Sequence, residues 1–217
     1  MPFGPEKRAG LRYWLENAFY SYTDGIVLYS MIRHLRPQRI IEIGSGFSSA
    51  VTLDTNQRFF DSSIKLHFIE PFPERLRSLM TAEDTATIEI RERFVQDVDP
   101  ELFARLEKND ILFVDSTHVS KTGSDVNDIL FRILPLLRPG VFVHFHDVFY
   151  PFEYPQEWVF KGRNWNEAYL LRAFLSNNSA FAIRFFGDYL HRFHPEAFAE
   201  MPLTTRNHGG GIWIEKL

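Results

Sequence analysis

The spacing of apolar positions changes along the chain, and each change marks an element. From Leu11 to Tyr22, the residues Leu11, Trp14, Leu15, Ala18 and Phe19 recur at intervals of three and four, which predicts an amphipathic helix. A second helix follows, with Asp24 as its N-cap, an apolar run over 26–35 and Pro37 as its stop. Beyond it, apolar and β-branched residues gather in short runs at 39–43, 65–69, 88–90, 110–114 and 141–145, each the length of a strand. Helix-compatible stretches separate or follow these runs at 48–60, 73–80, 100–108 and 124–137, the last ended by Pro139-Gly140. This alternation predicts an α/β fold, a doubly wound, mostly parallel sheet with helices on both faces. A further helix over 164–176 precedes strands at 181–186 and 211–215. No convincing helix lies between those two strands, so they are expected to pair antiparallel at one edge of the sheet. Residues 1–38 read as a helical segment of the same domain as the Rossmann-like unit over 39–217.

Composition narrows the partners. With 217 residues the chain has the size of one large domain, and 45% hydrophobic residues supply its core. A net charge of −4 offers no global positive field for a polyanion, so nucleic acid is not expected as the main partner. No apolar run is long enough to span a bilayer and no signal-like segment opens the chain, which predicts a cytoplasmic protein without a membrane partner. The absence of cysteine leaves oxygen and imidazole as the ligands for any metal.

The sharpest local signal is Ile40-Ile41-Glu42-Ile43-Gly44-Ser45-Gly46-Phe47-Ser48-Ser49, a strand running into a Gly-x-Gly turn that opens a helix. Gly44 and Gly46 permit backbone geometry and ligand approach denied to residues with a Cβ, while Ser48 or Ser49 can cap the helix whose N-terminus faces the ligand. Glu70 ends the second strand, where a carboxylate can accept hydrogen bonds from both ribose hydroxyls. After the third strand, Phe94-Val95-Gln96-Asp97 brings an amide and a carboxylate, Asp97, to where an adenine edge would lie. NAD is the alternative ligand, but Ser49 stands where its fingerprint has a third glycine.

In these features the chain resembles the class I S-adenosylmethionine-dependent methyltransferases, in which an acid precedes a glycine-rich loop, a second acid ends strand two and a seventh strand inserts antiparallel. Glu42-Ile43-Gly44-Ser45-Gly46, Glu70 and the last two strands match in order over 39–217, with Ser48 replacing the third glycine of the fuller loop. Val114-Asp115-Ser116-Thr117-His118 and His144-Phe145-His146-Asp147 are similar to the catechol and macrolide-sugar O-methyltransferase branch. The resemblance implies S-adenosylmethionine as donor, held by Glu42, Gly44, Ser45, Gly46, Ser48, Ser49, Glu70, Asp97 and Asp115. It also implies methylation of an oxygen on a small-molecule or saccharide-like acceptor; an NAD-dependent oxidoreductase and a non-catalytic cofactor-binding protein are the rival readings, and a homo-oligomer is left open.

Asp115 ends the fourth strand and Asp147 follows the fifth, and neighbouring parallel strands bring their carboxyl ends to one crevice. Two converging carboxylates need a shared proton, a cation such as Lys121, or a divalent metal. The related branch carries an aspartate after strand four and an Asp-Asn or Asp-Asp pair after strand five; here that pair is His146-Asp147. Asp115, His146 and Asp147 are therefore expected to be catalytic, either as ligands of Mg²⁺ or Mn²⁺ or with His146 as general base. His144 is expected to be a hydrogen-bonded core histidine, while His118 either reaches the crevice or caps the Asp115 loop. The aromatic stretch 149–158, with Trp165, Arg163, Asn164 and the segment 207–211, is expected to wall the acceptor pocket.

Overall fold

The computed structural model describes residues 1–217. In chain order its elements are α1 (Thr23–Leu35), β1 (Arg39–Ile43), α2 (Phe47–Phe60), β2 (Lys65–Ile69), α3 (Glu74–Leu79), α4 (Ala82–Thr87), β3 (Ile90–Arg91) and α5 (Glu101–Ala104). There follow β4 (Ile111–Val114), α6 (Asp125–Asp128), β5 (Phe142–His146), α7 (Gln156–Phe160), α8 (Glu167–Leu175), β6 (Phe181–Phe186), α9 (Gly187–Phe193) and β7 (Gly211–Lys216). The strands form one seven-stranded sheet in the order β3-β2-β1-β4-β5-β7-β6. β1 to β5 are parallel, and β7 pairs antiparallel with both β5 and β6, as the pattern predicted.

The central strands are apolar on both sides because both sides are covered. Ile41, Ile43, Leu112 and Val114 face one buried cluster, and Ile40, Ile111 and Phe113 face the other, which α1 and α2 complete. Strand order reverses between β1 and β4, and such a switch point leaves a crevice beyond the carboxyl ends. Gly44 and Asp115 are the residues that follow those two ends. No helix is long and apolar enough to cross a membrane.

Three expectations fail. Residues 11–22 form no helix, because their backbone groups are satisfied elsewhere: Leu15 and Glu16 donate to the carbonyls of Gly4 and Pro5, and Arg12 and Tyr13 donate 2.9 Å bonds to the Asp54 carboxylate. The Arg12 guanidinium then joins Asp54 at 2.8 Å to Asp84 at 2.6 Å, so a buried ion cluster straps this segment over α2. A helix, α9, does form between the last two strands; stacking of His191 on Phe198 at 3.8 Å supplies packing that no apolar periodicity announced. The helix expected over 124–137 begins as α6, widens into a π turn over Ile129–Ile133 and tightens to a 3-10 turn over Leu134–Leu136, where Pro135 lacks an amide to continue the ladder. The short helices α4 and α7 were not anticipated.

Candidate functional site

Two chambers open at the carboxyl ends of the strands, and Asp115, Ser116 and Thr117 line both. The first, of about 420 Å³, lies over β1 and β2. Gly44 turns its floor at φ +81°, and a Cβ there would run into the carbonyl oxygen of Asp115, so only glycine fits. Behind the turn, buried Glu42 accepts hydrogen bonds from Ser48 (2.5 Å) and Ser49 (2.9 Å). Burial pushes the Glu42 carboxyl up to about 8 against the pull of those two hydroxyls. Glu42, Ser48 and Ser49 thus brace the turn from beneath, and the two serines spend their side chains on Glu42 rather than on a ligand. Ser49 also accepts the Gly46 amide at 3.1 Å.

Glu70 stands in the chamber wall, where it accepts the amides of Ser45 and Phe72, each at 2.9 Å. Phe72 and Phe94 are 68% and 53% exposed, and their rings meet edge-to-face at 6.2 Å along the same wall. Gln96 lines the chamber with its Oε1 unpartnered, whereas Asp97 is exposed and outside the wall. Of the pair offered for an adenine edge, the amide is the one in place, because the 3-10 turn over Val95–Asp97 rotates Asp97 outward. Phe72 escaped the sequence reading, since a lone phenylalanine after a strand carries no signal of its own.

The second chamber holds about 670 Å³ over β4 and β5. Asp115 and Asp147 converge on it, and two imidazoles stand between them. His118 Nε2 is 3.3 Å from Asp115 and 3.7 Å from Asp147, while its Nδ1 is 2.8 Å from buried Glu167. His146 Nδ1 is 3.5 Å from both Asp115 and Asp147, and its Nε2 is 3.8 Å from Asp24. Burial opposes a charge on either ring, yet Asp115 and Glu167 raise His118 to about 10, and Asp147 with Asp115 raises His146 well above the ordinary imidazole range. Burial would likewise raise Asp115, but His146 and His118 overcome it and hold that carboxyl well below the usual range. Lys121 makes no ion pair with these acids; it lines the first chamber, so the histidines are the balancing cations.

Loop geometry places these groups. His118 and Asp147 adopt left-handed φ values of 59° and 55°, an unfavourable conformation for residues with side chains that tends to occur at functional positions. The His118 carbonyl accepts the amides of Asn166 and Glu167, and Asp147 donates its amide to Gly210 at 2.8 Å. Gly210 in turn donates to Asp24 at 3.1 Å. Asp24 is therefore not the N-cap of α1, which starts at Thr23, but a wall of the chamber. His144 is a core residue stacked on Phe113 at 4.5 Å, without the expected hydrogen bond, and burial keeps it neutral.

The ligand atoms of Asp115, His118 and Asp147 lie within 4.8 Å of one another. His118 joins the two carboxylates in this set, with His146 standing equally close to both acids, and Glu167, which no spacing rule connects with the cluster, holds the His118 ring at Nδ1. From the aromatic stretch, Phe149 and Trp158 line the chamber with Trp165, while half-buried Tyr150 and Phe152 pack against the core without lining the chamber. Arg163, Asn207, Gly209 and Gly210 complete the wall; Asn164 is not part of it.

A family model described as a methyltransferase domain matches residues 41–148, about half of the chain, from the middle of β1 to just past the end of β5. An uncharacterized protein of Archaeoglobus fulgidus is 38% identical over 109 residues, covering 50% of this chain and 48% of that one, so the match spans about half the length of this relative. The chain is also similar to the O-methyltransferase TomG of Streptomyces achromogenes, involved in tomaymycin synthesis and solved with S-adenosylmethionine. That likeness has 18% identity, a TM-score of 0.52 and covers 88% of this chain and 78% of TomG. CmcI, solved with magnesium and S-adenosylmethionine, is similar at 15% identity and a TM-score of 0.55, covering 98% of this chain and 77% of that one. At such identities the shared property is the fold, and it is not one that favours the NAD reading. With the domain matched across the strands that carry Gly44, Glu70, Asp115 and Asp147, the chain belongs to the class I S-adenosylmethionine-dependent methyltransferases.

Proposed function

We propose that this protein transfers a methyl group from S-adenosylmethionine to an oxygen of a small-molecule acceptor, with a divalent ion held by Asp115, His118 and Asp147. The observation that carries the reading is the shared Asp115–Thr117 wall, which sets a nucleoside-sized chamber beside an acid-lined one. A group passed between them travels only the width of that wall.

Glu70 is the ribose acceptor in this reading, with Phe72 and Phe94 offering faces for a base and Gln96 an amide for its edge. The second chamber fits a cation. Ligands about 2.0–2.2 Å from one ion stand no more than about 4.4 Å apart, so a contraction of a few tenths of an ångström closes the acid–imidazole set. Glu167 on His118 Nδ1 is the carboxylate–imidazole arrangement that turns the other ring nitrogen toward a metal. Protons on the two histidines balance the carboxylates without an ion, and a metal would compete with the His118 proton.

When bound, the ion supplies a Lewis acid that lowers the pKa of an acceptor hydroxyl. The chain's own contribution is positional: Gly44 brings the donor turn against Asp115, and Phe149, Trp158 and Trp165 hold the acceptor and exclude water. His146, which Asp147 and Asp115 hold well above the ordinary imidazole range, is a charge-balancing group in this arrangement rather than a neutral base.

Calorimetry with S-adenosylhomocysteine and NAD tests the donor half. S-adenosylhomocysteine is expected to bind and NAD not to, and Glu70→Ala should weaken its binding about tenfold or more by removing charge-assisted hydrogen bonds worth about 1.5–3 kcal/mol. Tight NAD binding, or full affinity in a folded Glu70→Ala protein, would overturn the assignment. A protein that binds the donor product but turns over no hydroxylated acceptor would instead be a cofactor-binding protein.

A further inference from the structure

The second chamber is polarised. Its inner wall carries Asp24, Asp115 and Asp147, whereas its outer wall carries Arg163, whose guanidinium lies over the rings of Trp158 at 4.1 Å and Trp165 at 4.8 Å. The two indoles meet edge-to-face at 5.3 Å, so the arginine is laid on a fixed aromatic support. Arg163 makes no ion pair, and none of its side-chain N–H groups is used in a hydrogen bond; only its backbone amide is, donating to the Trp158 carbonyl at 3.0 Å. The acid on the same wall, Glu157, pairs with Lys161 at 3.9 Å instead.

A guanidinium held over aromatic rings with none of its N–H groups engaged keeps them for a ligand, and its planar fork matches a carboxylate or phosphate with two parallel hydrogen bonds. Arg75, the other arginine of the chamber, packs against Gly46 with its guanidinium over Phe19 at 3.9 Å, away from the Trp158–Trp165 wall. With the inner acids committed to the histidines, the Arg163 guanidinium is the open cation that the Trp158–Trp165 wall offers an anion. We infer that the acceptor is a ring-shaped molecule that turns a hydroxyl toward Asp115 and Asp147 and an anionic group, carboxylate or phosphate, toward Arg163 on the Trp158–Trp165 wall. This rests on the reading of that chamber as the acceptor pocket.

The test uses three probes with the same vicinal ring hydroxyls: dihydroxybenzyl alcohol, which is neutral, dihydroxyphenylacetate and dihydroxybenzylphosphonate. Each is titrated by calorimetry into the full chain saturated with S-adenosylhomocysteine and Mg²⁺, as wild type, Arg163→Gln and Arg163→Lys. At least one anionic probe should bind wild type about tenfold or more tightly than the alcohol, and which one does identifies the anion. Arg163→Gln should erase that preference, Arg163→Lys should restore part of it, and affinity for S-adenosylhomocysteine should be unchanged in both. Equal affinities for charged and neutral probes, no binding of any probe, or a preference that survives Arg163→Gln overturns the proposal. Failure of S-adenosylhomocysteine itself to bind overturns the methyltransferase reading instead, so the two failures are distinguishable.

Discussion

Nδ1 of His118 lies 2.8 Å from Oε2 of Glu167, a buried residue 49 positions later that opens α8. The same helix start donates the amides of Asn166 and Glu167 to the His118 carbonyl, so α8 holds this residue by backbone and side chain at once. The ring is left with one free nitrogen, and its direction between Asp115 and Asp147 is set before any ligand arrives.

Removing that anchor should loosen the proposed metal site without touching the donor. In Glu167→Gln, Mn²⁺ affinity read by electron paramagnetic resonance is expected to fall about 10–100-fold, the usual effect of losing a partner that orients a ligand. Affinity for S-adenosylhomocysteine should be unaltered. Wild-type Mn²⁺ affinity in this variant would mean that His118 is not a ligand.

The two histidines make opposite predictions. His118→Ala should abolish Mn²⁺ binding measured by the same resonance signal, whereas His146→Ala should retain it, since the acid–imidazole set is complete without His146. The reverse result would reinstate Asp115, His146 and Asp147 as the ligands.

Glu42 should make stability pH-dependent in a direction opposite to most carboxylates. Its folded pKa of about 8 lies above the ordinary glutamate value of 4.5, so the folded state binds the extra proton. Stability is therefore greatest below the unfolded pKa and declines as pH rises from about 4.5 to 8, with a slope of up to ~1.4 kcal/mol per pH unit. Urea unfolding of the donor-free protein across that window should show the decline, and Glu42→Gln should flatten it relative to wild type. Parallel curves for the two proteins would show that Glu42 is charged in the fold.

Gly44→Ala should be among the most damaging single methyl additions. It forces a side chain into φ +81°, at about 1 kcal/mol, and drives the new carbon into the Asp115 carbonyl oxygen, so the β1 turn or the β4 end must move. A melting temperature several degrees below wild type and loss of S-adenosylhomocysteine binding are expected together. A variant that keeps both would show that the turn has slack.

Much of the frame is legible in the sequence because its signals are local or topological. The apolar run of β1 and its glycine turn sit on adjacent residues, and the ends of neighbouring parallel strands must bring Asp115 and Asp147 together wherever the loops go. Residues 11–22 mislead for the opposite reason: their three-and-four spacing is real, but Asp54, more than 40 positions away, claims the amides a helix would need. His118, Glu167 and Asp24 reach the site through left-handed turns and long-range contacts that no periodicity encodes. Asp24 looked like a cap because an acid before an apolar run usually is one.

Part of the second chamber's wall comes from 18–24 and 207–210, stretches near opposite ends of the chain, clasped by the Gly210–Asp24 bond. The family-matched stretch 41–148 carries the turn, Glu70 and the three proposed metal ligands, but not these walls. Parts of the pocket proposed for the acceptor therefore lie in segments that the shared domain does not include. Changes in those outer segments would reshape the proposed acceptor wall while leaving Gly44, Glu70 and the proposed metal ligands in place, so proteins that share the middle need not share a recipient.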